Sequence, residues 1–117
     1  MSESAPVFPE ITVLSHSDTH AELSLFVPED LHWFKGHFPV QPILPGVVQL
    51  DWAVKLAARY LAMDTSNATQ IEVLKFQVVI QPGATLLLTL TEKSAQKFTF
   101  EYSSQTGSHS SGRVKLT

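Results

Sequence analysis

The chain contains no cysteine. That excludes a disulfide framework, a thiolate nucleophile and a metal site built on sulfur. It has no apolar run approaching the roughly eighteen residues of a membrane span. Basic residues are few: 8 Lys and Arg stand against 11 Asp and Glu, for a formal charge of −3. They are scattered, so no basic stretch exists to track a phosphate backbone, and nucleic acid is excluded as the main partner. The opening Met1–Pro6 lacks the basic and then apolar order of a secretory signal. These absences together lead us to expect a soluble, cytoplasmic domain without a membrane span.

What is present is enough for one core. With 117 residues, 44% of them hydrophobic, the chain suits a single compact domain and is too short for two. Residues 1–10 carry Pro6 and Pro9 among polar neighbours and read as a flexible lead. Residues 11–117 form the domain. A body of this size leaves apolar surface uncovered, which favours a homodimer.

Ile11–Ser15 has strand composition, and Ala21, Leu23, Leu25 and Val27 alternate through His20–Val27 as a half-buried strand. Pro45 to Met63 reads as the one long helix, with Pro45 at its start and Asp51, Lys55 and Arg59 as a narrow polar stripe. Strands follow at Ile71–Ile80, Ala84–Thr91 and Lys97–Tyr102. Ser103–Gly112 has the composition of a hairpin loop before a short last strand, Arg113–Leu116. His16, His20 and His109 read as surface residues. Strands, one buried helix and then a strand meander make an α+β layer arrangement.

Chemistry concentrates in His37-Phe-Pro-Val-Gln-Pro-Ile-Leu-Pro-Gly-Val-Val-Gln-Leu-Asp51. An imidazole sits on a loop stiffened by Pro39, Pro42 and Pro45, and a carboxylate sits in the helix. Between them, Pro45-Gly46 opens the helix with free backbone N–H groups. Imidazole can take a proton near neutral pH, a carboxyl group can give one, and helix-start amides can stabilise an oxyanion. Those parts suit proton abstraction beside a carbonyl followed by loss of a hydroxyl. A metal held by His32, His37 and Asp51 is disfavoured, because no helical register holds the two histidines and no further ligand cluster is present.

His-Phe-Pro, then Pro-Ile-Leu-Pro-Gly, then an acid fourteen residues after the His, resembles the β-hydroxyacyl-acyl carrier protein dehydratases of the FabA/FabZ group. Lys75-Phe76 and Gln81-Pro82-Gly83 are similar to a later signature of the same family. The stretches Phe34–Pro39 and Pro45–Ala53 look most like the ApeI-type branch, associated with aryl polyene biosynthesis. The resemblance implies a hot-dog fold, one long helix wrapped by a curved antiparallel sheet. It implies His37 as the base for the α-proton and Asp51 as the acid for the departing 3-hydroxyl. It further implies the Gly46 N–H as the group polarising the thioester carbonyl, with Phe38, Pro45 and Val47 lining the substrate. The implied substrate is a (3R)-3-hydroxyacyl chain on the phosphopantetheine of an acyl carrier protein, with no metal or other cofactor. The implied site joins His37 of one subunit to Asp51 of another. Val40 departs from the family pattern, where many members carry glycine, and implies a different path for the loop beyond His37. Two other hot-dog functions stand as alternatives: an acyl thioesterase, or a non-catalytic partner subunit that binds acyl carrier protein.

Overall fold

The computed structural model describes residues 7–31, 43–65 and 68–116. Within them the order is β1 (Glu10–His16), β2 (His20–Phe26), α1 (Gly46–Tyr60), β3 (Ala68–Phe76), β4 (Thr85–Ser94), β5 (Lys97–Ser104) and β6 (Gly107–Leu116). The strands form one sheet in the order β1-β2-β4-β5-β6-β3, with every neighbouring pair antiparallel. The α+β arrangement is the one the sequence pattern implies.

Period-two alternation decides which face is filled. Ala21, Leu23 and Leu25 of β2, Leu86, Leu88 and Leu90 of β4, and Phe98, Phe100 and Tyr102 of β5 all point to one side and are buried. Val48, Trp52, Ala53, Leu56 and Ala57 of α1 complete that core. Fully burying side chains of this size contributes about 1.5–3 kcal/mol each, which is what holds the helix against the sheet. The helix stops earlier than its apolar pattern suggests. Leu61 closes the last turn through its N–H to the Ala57 carbonyl, and Ala62 enters the left-handed region at φ 54°, turning Met63 inward. His16 Nε2 donates to the Tyr60 carbonyl and ties β1 to the same helix end.

The amino-terminal segment is docked where it is described. Trp52 Nε1 donates to the Val7 carbonyl at 3.2 Å, and Phe8 meets the Trp52 ring edge-on at 5.8 Å.

Further sequence expectations need correction, and the strand expected over Ile71–Ile80 ends at Phe76. Ser103–Gly112 is strand rather than loop: β5 runs to Ser104, β6 begins at Gly107, and the turn between them is short. The small residues are there because their partners are large. A methyl group at Gly112 would lie 2.8 Å from the buried Phe100 ring. His109 is not a surface residue. It is buried, with Nδ1 donating to the Val78 carbonyl at 3.2 Å and Nε2 accepting from the Ser104 hydroxyl at 2.7 Å. The Val78 carbonyl can only accept, so Nδ1 carries a proton. The His109 carbonyl in turn accepts from the Gln77 and Val78 amides, so this residue clamps the chain that leaves β3.

β3 is an edge strand paired only with β6. Glu72 faces Arg113 and Lys75 faces Ser111, so β3 carries one residue more than β6 across that stretch. The extra residue is accommodated at Val73, whose φ of 50° is unusual for a β-branched side chain. Along this edge and just beyond it, Ile71, Val73, Leu74, Phe76, Val78 and Val79 are exposed.

Candidate active site

The helix start is built without a side-chain cap. Pro45 occupies the N-cap position with φ −61° and ψ 147°, offers no side-chain acceptor, and is followed by a first turn free of acidic residues. Its carbonyl accepts from the Val48 and Gln49 amides, both at 3.1 Å. The Gly46 and Val47 amides have no acceptor among the described residues, so none of those residues neutralises the positive end of the helix. The Phe76 ring lies directly over Gly46. A Cβ at Gly46 would stand 2.7 Å from Phe76 Cζ, so a side chain there requires the ring to move. Phe76 itself remains 53% exposed.

From that end a stripe of Val47, Asp51, Lys55 and Arg59 runs along the outer face of α1, each residue four after the last. Val47 is 77% exposed. Lys55 Nζ stands 2.9 Å from Asp51 Oδ2, with 49% of the Asp51 side chain accessible. An exposed pair of this kind contributes little to stability. Gly46, Pro45, Val47 and Asp51 are therefore brought together at one end and on one open face of the helix. His37 and Phe38, like Val40, lie outside the described residues.

The inner face of the same helix turn carries a polar group that sequence reasoning treated only as part of a motif. Gln49 is 4% exposed. Its Nε2 donates to the Leu44 carbonyl at 3.1 Å, and its Oε1 accepts from the buried Ser110 hydroxyl at 2.7 Å. Its backbone carbonyl accepts from the Tyr102 hydroxyl at 2.6 Å. Burial, and secondarily the Asp51 charge, hold the Tyr102 phenol well above the usual tyrosine range, so it stays a donor. A glutamine amid apolar helix residues, one turn after Pro-Gly, was the available signal. Among the described residues no buried side-chain nitrogen or oxygen lacks a partner.

An open groove of about 890 Å³ lies elsewhere, lined by Val78, Val79, Leu87, Ser103, Thr106 and His109 among others. None of Gly46, Val47 or Asp51 borders it. It borders none of the described residues of the His37–Asp51 stretch, which makes the helix start the better candidate.

Comparison with known proteins decides the family. The sequence model of the ApeI-like dehydratases matches residues 13–113. The chain belongs to the ApeI-like dehydratase family. A solved chain of the dehydratase heterocomplex ApeI:P from Xenorhabdus doucetiae is 39% identical over 92% of this chain and 96% of that one, with a TM-score of 0.82. An uncharacterised protein of Erwinia carotovora subsp. atroseptica is 41% identical over 95% and 97% of the two chains, with a TM-score of 0.78. The 3-hydroxyacyl-acyl-carrier-protein dehydratase FabZ of Rickettsia bellii is 32% identical over 61% of this chain and 54% of its own length. The chain thus spans about half the length of the curated relatives it matches. Zebrafish thioesterase superfamily member 2, at 12% identity and a TM-score of 0.64, shares the fold alone. The ApeI-like fold is the hot dog, as the motifs implied.

Proposed function

We propose that the protein dehydrates (3R)-3-hydroxyacyl thioesters to trans-2-enoyl thioesters, on substrates carried by the phosphopantetheine of an acyl carrier protein. The observation that carries this reading is the open helix end, where uncapped amides at Gly46 and Val47 stand one and a half turns before Asp51. The acyl carbonyl accepts from the Gly46 N–H, which stabilises the enolate-like charge that develops when the α-proton leaves. His37 takes that proton. Asp51 gives a proton to the 3-hydroxyl, which departs as water while the Cα–Cβ double bond forms. Phe38, Pro45 and Val47 line the acyl chain. No metal or cofactor is required by these steps. Aryl polyene or fatty acid precursors fit the family, and a cytoplasmic setting fits the carrier.

The site is completed by a second copy of the chain. Val47 and Asp51 are open to solvent, and the exposed Phe76 ring of β3 lies over the adjoining Gly46. A homodimer formed there covers both. It also displaces the Lys55 ammonium from the carboxylate that has to carry a proton.

Turnover of a hydroxyacyl thioester to its conjugated enoyl product is read by ultraviolet absorbance. His37→Ala and Asp51→Asn are each expected to lose at least roughly a hundredfold in kcat. Mixed after unfolding and refolding together, the two inactive variants should regain roughly a quarter of wild-type activity, because each mixed dimer restores one site. Full activity of His37→Ala would refute the mechanism, and absence of complementation would refute the shared site. A second reading, a partner subunit in a heteromer, is favoured by the heterocomplex that holds the Xenorhabdus relative. It would be preferred if the protein were inactive alone but raised the turnover of another hot-dog chain.

A further inference from the structure

We infer that Gln49 is a positioning residue that aims the Gly46 amide, an inference that rests on the dehydratase reading above. Helix starts are preferentially capped by Ser, Thr, Asp or Asn at the N-cap, whose side-chain oxygen bonds the exposed amides. Such an oxygen would occupy the space that an acyl carbonyl has to enter, and would cancel the positive potential that polarises it. Here the N-cap is Pro45, which carries no such oxygen. The helix start still needs to be held, since an unrestrained first turn frays and its amides lose their direction.

Gln49 supplies the hold from the buried side. Its Nε2 reaches back to the Leu44 carbonyl, immediately before Pro45-Gly46, at 3.1 Å. The Leu44 amide is itself fixed to the Ile80 carbonyl at 2.8 Å. At the other end of the same side chain, Oε1 is held at 2.7 Å by Ser110, which is fully buried in β6. Tyr102 from β5 fixes the Gln49 carbonyl at 2.6 Å. The backbone on both sides of Gly46 is thereby referred to the sheet, while its N–H has no acceptor among the described residues. A carboxamide suits this place because it donates toward Leu44 and accepts from Ser110 at once. Leucine or methionine could do neither, and a carboxylate could only accept.

The test compares wild type with Gln49→Met, close in volume but without the donor and acceptor. The assays are turnover and infrared difference spectra of a bound 3-hydroxyacyl pantetheine amide labelled with ¹³C at the carbonyl. In the wild type the carbonyl stretch should move to lower wavenumber than in water. In Gln49→Met most of that shift should disappear, and kcat should fall by roughly ten- to a hundredfold while KM stays within about twofold. Ser110→Ala, which removes only the bond to Oε1, should move both readouts in the same direction by less. The double variant should be no worse than Gln49→Met alone. A Gln49→Met protein that melts earlier yet keeps its kcat and carbonyl shift would overturn the role and leave Gln49 as structural packing. If Gln49→Met does not fold, Ser110→Ala decides on the same two readouts, and no change in them overturns the role. A wild-type protein that neither turns over hydroxyacyl thioester nor shifts the carbonyl would instead remove the dehydratase reading, and this role with it.

Discussion

Gly46 is constrained by space rather than by backbone conformation, since it begins an ordinary helix with the Phe76 ring on its Cα. A methyl group there meets the far end of a half-exposed ring that can swing away. Gly46→Ala is therefore expected to change stability by less than about 1 kcal/mol, with the helix preference of alanine offsetting part of the displaced contact. Activity is a different matter, because the displaced ring and added methyl both crowd the carbonyl site. We expect kcat to fall roughly a hundredfold, with thermal melting showing the fold intact. Unchanged turnover would show that no carbonyl approaches this amide. The residue is also where the sequence was most and least informative. Pro45-Gly46 and Asp51 were legible because their spacing matches a motif. Gln49 was not, because its role depends on Ser110, Tyr102 and Leu44, whose proximity no local pattern encodes.

Among the elements, β2 and β6 show opposite degrees of legibility. Strict alternation of Ala21, Leu23 and Leu25 against polar neighbours makes β2 readable, because each residue reports its own face. β6 is Gly-Ser-His-Ser-Ser-Gly before it reaches Arg113, a composition shared with turns. It is a strand because β5 beside it brings Phe100 opposite Gly112 and Tyr102 opposite Ser110, and bulk on one strand requires smallness on the next. Gly112→Ala should accordingly destabilise the protein by about 1–3 kcal/mol, since its methyl would press on a buried ring. The same change at Gly107, where nothing lies within 4 Å, meets no such clash, although its φ of 116° carries its own cost. Urea denaturation of both variants separates crowding from backbone strain. The helix boundary illustrates the same dependence on partners: apolar residues continue past Tyr60, but the turn at Ala62 diverts them into the core.

For the molecule as a whole, Tyr102 gives stability a defined dependence on alkaline pH. Its phenol is raised by burial and then by the Asp51 charge, so the folded state keeps a proton that the unfolded chain releases near pH 10. Stability from this group is complete below about pH 10 and is lost as pH climbs from there toward the folded value. Tyr102→Phe should be weaker at pH 8 by about 1 kcal/mol, for the lost bond to the Gln49 carbonyl. It should also lose less stability than wild type as pH rises through about 10, as urea midpoints across that range would record. Parallel decline of the two proteins would show that other groups govern alkaline unfolding.

The irregularity at Val73 has its own consequence at this scale. An apolar, unpaired strand edge is the usual template for indefinite stacking of chains. The left-handed turn at Val73 breaks β3 into two runs, each shorter than the six or seven residues that fibril-forming segments typically need. A newly synthesised chain can thus wait with its edge uncovered and still be poorly suited to seed a fibre.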